Sequence, residues 1–135
     1  MLRTITQSVI FNKCSPSALF EIYMDSQKHA AAIGSKAKIE NRVGGSFSAF
    51  GMLKGKFLAL DKNKMIVQTW RSRHWKKEDP ASILVLKFES VPGGAKIHLT
   101  HTCIPEHDYA DIQKGWPHYY WKPWKKYLSK NKSKR

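Results

Sequence analysis

From residue 36 to residue 103 the chain keeps a hydrophobic period of two and interrupts it only at short turn signals. Residues 37–41, 46–50, 54–60, 64–74, 82–90 and 95–103 each alternate, and alternation at that period places successive side chains on opposite faces of a strand. The interruptions are Gly44-Gly45, Gly51, Asp61-Lys62-Asn63, Asp79-Pro80 and Pro92-Gly93-Gly94. Parallel neighbours need crossovers of about a dozen residues, which these links cannot supply. The pattern therefore predicts an antiparallel meander.

The flanks complete the architecture. Residues 4–11 alternate as a first strand, with Ile5, Gln7, Val9 and Phe11 on one face. Ser15-Pro16 then offers a hydroxyl N-cap and a proline at the first helical position, followed by Leu19, Phe20, Ile22 and Tyr23 at helical spacing. A second short helix over 26–32 ends at Gly34. After Pro105 the sequence predicts a turn or two of helix at 108–113 and a longer helix at 116–128, kinked at Pro123. The expected fold is α+β: a curved antiparallel sheet of about seven strands gripping a long C-terminal helix, with two short helices after strand one. Residues 1–129 form the expected domain and 130–135 a basic, frayed tail.

Composition narrows the function classes. At 135 residues and 41% hydrophobic the chain suits one globular domain. It contains no run of about 18 apolar residues, so a membrane span is not expected, and its start lacks an apolar signal core, so export is not expected either. Two cysteines, Cys14 and Cys103, are too few for a disulfide scaffold, and a cytoplasmic location is the expectation. The net charge is +14 and unevenly placed: after Asp111 there is no acid, against eight Lys and Arg. Such a tail attracts polyanions without selecting among them.

Strand parity sets the candidate site. Ile66, Gln68, Trp70 and Ser72 share one face of their strand; Ile97, Leu99, His101 and Cys103 share one face of another, opposite Lys96, His98 and Thr100. The charged set meets water, so His101 and Cys103 are expected inward beside Leu84, Leu86 and Phe88. The terminal helix adds Trp116, Tyr119, Tyr120, Trp124, Tyr127 and Leu128 to the covering face. The candidate ligand-binding lining is Gln68, Trp70, Leu84, Leu86, Phe88, Leu99, His101, Trp116, Tyr119 and Tyr120: an apolar wall with a few polar handles, the form of a site for a small hydrophobic or amphipathic molecule. The alternative is that the same aromatics fill the core, their polar atoms bonded internally.

Other chemistries are less well supplied. His98 and His101 stand at an odd spacing that puts them on opposite faces of a strand, and no set of three or four ligands converges, so no metal is assigned. Gly44-Gly45 lacks the Lys-Ser/Thr and the helix of a phosphate loop. No nucleophile, base and orienting acid come together, so neither catalysis nor a cofactor is expected. Basic and aromatic residues interleave at 70–77 and 121–126, which keeps nucleic acid as a minor alternative through stacking beside cations. The chain is expected to be a monomer or a weak homodimer.

Four blocks, in order, also carry a resemblance. Gly44-Gly45-Ser46-Phe47-Ser48-Ala49-Phe50 with Gly55-Lys56-Phe57-Leu58-Ala59-Leu60 form the first, and Ile66-Val67-Gln68-Thr69-Trp70-Arg71 the second. Leu99-Thr100-His101-Thr102 with Ile104-Pro105 form the third; Gly115-Trp116, Tyr119-Tyr120-Trp121 and Trp124-Lys125-Lys126-Tyr127-Leu128 form the fourth. Together they resemble the C-terminal-domain family of the activators of the heat-shock protein 90 ATPase, within the START-like (SRPBCC, helix-grip) superfamily. The resemblance implies a helix-grip fold and a chaperone partner as the alternative to a small ligand. It covers the C-terminal-type domain alone, without the N-terminal domain that in that family makes the main chaperone contact.

Overall fold

The computed structural model describes residues 1–133, with the side chains described to residue 130. The order of elements is β1 (Leu2–Asn12), α1 (Pro16–Met24), α2 (Ser26–Ile33), β2 (Ala37–Ile39), β3 (Ser46–Ala49), β4 (Leu53–Asp61), β5 (Met65–Ser72), β6 (Ser82–Val91), β7 (Gly94–Pro105), α3 (Glu106–Gly115), a π-helical segment (Trp116–Trp121) and α4 (Lys122–Ser133). The strands form one seven-stranded sheet ordered β1-β7-β6-β5-β4-β3-β2, every pair antiparallel. The meander from β2 to β7 follows directly from the short turns, and β1 closes it on the far side of β7.

Local chemistry fixes the elements. Ser15 Oγ accepts from the Ala18 N–H at 3.1 Å, and Asp25 Oδ1 from Lys28 N–H at 2.9 Å, so each short helix starts on a side-chain cap. The β3–β4 turn needs left-handed backbone at both Phe50 (φ 59°) and Gly51 (φ 72°), and only the second is free of steric cost. Gly55 on β4 serves close approach: a Cβ there would lie 1.8 Å from the Thr69 carbonyl oxygen. Register shifts between Phe57 and Ala59 and between Arg3 and Ile5 place an extra residue in one partner of β4–β5 and of β1–β7, bulges that bend the strand and increase its twist.

The second shift corrects one expectation. Ile5 pairs with His101 but Arg3 with Ile104, so β7 carries an extra residue where Cys103 adopts φ 63°. The bulge reverses the parity after His101, burying Ile104 completely and leaving Cys103 half-buried rather than inward. Upstream of it, Leu84, Leu86 and Phe88 on β6 stand opposite His101, Leu99 and Ile97, all on the inner face.

The C-terminal rod also differs from the expected short helix and kinked longer one. It runs helically from Glu106 through Ser133 and absorbs both Pro117 and Pro123 by changing register. The Lys122 N–H bonds to the Pro117 carbonyl, an i→i−5 bond. Pro117 has no N–H to give to the Gln113 carbonyl, and Gln7 of β1 supplies the missing donor at 2.9 Å. The same Gln7 side chain accepts from the Trp121 indole at 2.9 Å, tying the rod to the sheet on both sides of the irregularity. Residues 130–133 of the expected tail continue the backbone of α4, while residues 134–135 lie outside the described residues. Among the described residues no helix is long and apolar enough to cross a membrane.

Candidate functional site

The inner face of the sheet, α1–α2 and the rod enclose an aromatic interior: Trp124, Tyr23, Phe11, Phe47 and Phe57 are essentially inaccessible. Two polar networks run through it, each built on a buried neutral histidine. In the first, the Trp116 indole N–H donates to His101 Nδ1 at 3.2 Å. Nδ1 is thereby the acceptor, so Nε2 carries the proton and donates to Ser82 Oγ at 2.8 Å, and Ser82 in turn donates to the Trp70 carbonyl at 2.5 Å. Burial lowers the His101 pKa from its ordinary value to about 3. In the second, His29 Nδ1–H donates to the Tyr23 carbonyl at 2.8 Å and Nε2 accepts from the Tyr120 hydroxyl at 3.0 Å. Burial lowers the His29 pKa to about 4, only partly offset by the backbone bond. Tyr23 donates its hydroxyl proton to Gln68 Oε1, while Gln68 Nε2 donates to the Thr69 carbonyl at 3.1 Å. Burial pushes both tyrosine hydroxyls well above their ordinary pKa, so both remain donors.

These networks relocate the expected polar handles. His101 and Gln68 are fully buried with their polar atoms bonded inside the protein, and Leu84, Leu86, Leu99 and Phe88 pack in the core with them. The space left in the grip lies at one end of the interior, between the β3–β4 turn, β5 and the first half of the rod. It is a cavity of about 370 Å³ lined by Phe50, Met52, Leu53, Trp70, Ser72, Asp108, Asp111, Ile112, Gly115, Trp116, Tyr119 and Tyr120. Of the ten residues expected to line a cavity, Trp70, Trp116, Tyr119 and Tyr120 do so, with Tyr119 at the mouth and 54% exposed. The other six are buried in the core and do not line it.

The missed lining had a signal. Asp108, Asp111, Ile112, Gly115, Trp116, Tyr119 and Tyr120 repeat at alternating spacings of three and one, the stripe of a single helical face. Starting the long helix at Trp116 cuts that stripe in half. Phe50 and Met52 arrive through the tight β3–β4 turn, where alternation gives no direction. Beyond the cavity, Trp75 donates to Asp108 Oδ2 at 2.7 Å, and Arg71 donates to the carbonyls of Asp79 and Lys76. Asp79 accepts from His107 Nε2 at 2.8 Å, an arrangement that lowers its pKa, so the β5–β6 loop is fastened to α3 beside the cavity.

A second, larger depression of about 720 Å³ between α1–α2 and the β4–β5 turn is edged by Glu21, Asp25, Gln27, Asn41 and Lys62. Its Asp25 caps α2 and its Glu21 pairs with Lys28 at 2.6 Å. Among the described residues no three His, Cys, Asp or Glu side chains cluster to hold a metal ion. Trp70, Trp75, Trp121 and Trp124 are all at least nine-tenths buried, so the basic–aromatic stretches offer no indole face for stacked bases.

A seven-stranded antiparallel sheet curved around a C-terminal helical rod defines a helix-grip, START-like domain. The family model described as "Activator of Hsp90 ATPase homolog 1-like protein" matches residues 13–129. The chain belongs to that family. It is 27% identical over 105 residues to an activator of 90 kDa heat shock protein ATPase homolog from Dictyostelium discoideum, covering 77% of this chain and 27% of that protein. It is 33% identical over 72 residues to homolog 2 from Mus musculus, covering 53% of this chain and 22% of that protein. The chain thus spans about a quarter of the length of these relatives. A crystal structure of an HSP90 activator from Plasmodium falciparum matches with a TM-score of 0.81 at 28% identity, covering 96% of each chain.

Proposed function

We propose that the domain is a non-catalytic binding module that takes a small apolar molecule in the cavity between β3–β5 and the helical rod. The observation that carries this reading is the cavity of about 370 Å³, walled by Phe50, Met52, Leu53, Trp70, Trp116, Tyr119 and Tyr120. Its volume falls at the small end of the roughly 300–1,000 Å³ typical of ligand pockets. Gly115 supplies the test. Its backbone is helical, and a Cβ there would meet only the Tyr119 ring, at 3.5 Å, so a larger side chain can be installed and would occupy the space. Naphthalene titrated into ¹⁵N-labelled protein should shift the amides of Phe50, Leu53, Ile112 and Trp116, and Gly115→Leu should abolish those shifts without unfolding the domain. Unchanged amides in the wild type would defeat the proposal.

A second reading is favoured by the relatives: the domain acts as an accessory module of the 90 kDa heat-shock protein. It rests on the likeness to the Dictyostelium and mouse ATPase-activator homologs and to the Plasmodium HSP90 activator. Adding the purified chain to that chaperone and following its steady-state ATPase tests it; an unaltered rate together with no co-migration on a sizing column would reject it.

A further inference from the structure

The chain carries 24 Lys and Arg against ten Asp and Glu, so a carboxylate without a cation beside it stands out. Among the described residues, Glu21, Glu40, Asp79, Glu89 and Glu106 each pair with a lysine, arginine or histidine, at 2.6 to 3.5 Å. Asp108 and Asp111 do not, and both line the cavity. They stand one turn apart on α3, on the stripe that continues through Gly115 to Tyr119. Asp108 is half-buried and uses Oδ2 to accept from the Trp75 indole at 2.7 Å, while Asp111 is exposed. No lysine, arginine or histidine lines the space among the described residues, although Lys54 and Lys114 adjoin lining residues in sequence.

The aromatic part of the wall favours the same sign of charge. The Phe50 ring centroid lies 5.6 Å from that of Tyr119 and 6.0 Å from that of Tyr120, at interplanar angles of 67° and 72°. Trp116 lies 4.8 Å from Tyr120. Rings crossed in this way turn their faces in different directions, and a ring face carries the negative part of its quadrupole, which attracts a cation within about 6 Å. The net charge of +14 acts from further away and is screened over roughly 8 Å at physiological ionic strength, so the groups at the wall decide which charge is admitted. Resting on the cavity reading above, we infer that the ligand is an amphipathic organic cation, its apolar part among Phe50, Trp116, Tyr119 and Tyr120 and its ammonium head at Asp108 and Asp111.

Three probes share a naphthyl body and differ in the head: 2-naphthylmethylammonium, the neutral 2-naphthylmethanol and the anionic 2-naphthoate. Titrations into the full ¹⁵N-labelled chain at pH 7 should give the ammonium about tenfold tighter binding than the alcohol, the combined worth of two partly solvated carboxylates and the ring faces. The naphthoate should bind weakest, and the preference for the ammonium should shrink at high ionic strength. Asp108→Asn and Asp111→Asn should each weaken the ammonium about threefold and leave the alcohol unchanged. Asparagine at 108 keeps an amide oxygen for the Trp75 indole, and the double variant should show no preference at all. Equal affinities for ammonium and alcohol in the wild type, or a preference that survives the double variant, would overturn the cationic class while leaving the cavity reading standing. Failure of all three probes to shift the amides of Phe50, Leu53, Ile112 and Trp116 would remove both. If Asp108→Asn does not fold, the wild-type preference and its change in Asp111→Asn decide.

Discussion

Acid should destabilise this domain through two interior histidines well before its carboxylates protonate. His29 and His101 are buried and neutral, with pKa values lowered to about 4 and about 3, whereas an unfolded histidine titrates near 6.5. Below pH 6.5 the unfolded chain binds protons that the native chain refuses, so stability falls as the pH falls and is fully present above that value. Integrating from pH 8 to pH 5, each histidine removes about 2 kcal/mol, and together they remove about 4 kcal/mol from a total of about 5–15 kcal/mol for a domain of this kind. Glu40, Asp79 and Glu89 do not blur the measurement. Hydrogen bonds from Ser46, His107 and His98 hold them below the usual carboxylate range, so their contributions are lost only at lower pH. Urea unfolding at pH 8, 7, 6 and 5 would give the slope directly. His29→Gln and His101→Gln lower stability at every pH, but each should remove about half of the pH dependence, because glutamine cannot take up the proton. A urea midpoint that stays flat from pH 8 to pH 5, or an unchanged slope in both variants, would refute the assignment of neutral interior imidazoles.

Two further substitutions probe the frame. Gly55→Ala should cost about 3 kcal/mol or more, read as a lowered urea midpoint, because the new methyl carbon collides with the Thr69 carbonyl 1.8 Å away. Gln7→Ala should cost about 2 kcal/mol and raise hydrogen exchange around Gln113, since one side chain satisfies both the Gln113 carbonyl and the Trp121 indole.

Much of this frame is readable from residue order. Period-two runs separated by glycine, proline and Asp-x-Asn signals specify six of the seven strands, and Ser15-Pro16 and Gly34 mark the ends of the short helices. The resemblance of four blocks supplied the closure into a grip. What escaped was of three physical kinds. A bulge reverses parity without any local marker, since Cys103 is an ordinary residue placed at positive φ by its neighbours. Pro123 suggested a kink in a helix starting at Trp116, because a sequence does not reveal that an i→i−5 register and a glutamine on β1 will carry the rod through Pro117 and Pro123. Inward direction says nothing about whether a polar group is already bonded. His101 and Gln68 are inward as expected, but Ser82, Trp116, Tyr23 and the Thr69 backbone occupy their polar atoms, and all of those partners except Thr69 are distant in the chain. The bonds from Tyr23 to Gln68 and from Tyr120 to His29 are not legible for the same reason.

The wider turn between Trp116 and Trp121 fixes the phase of everything after it. One residue more than an α-helical turn rotates the downstream segment by about 100° relative to a uniform helix of the same sequence. That offset seats Trp124 against Phe11 and Tyr23 and leaves Lys125 and Lys126 in solvent. Remove a single residue from that turn and the last three turns would present ammonium groups where the indole now sits, so the terminal segment is sensitive to its length at this point before it is sensitive to its composition.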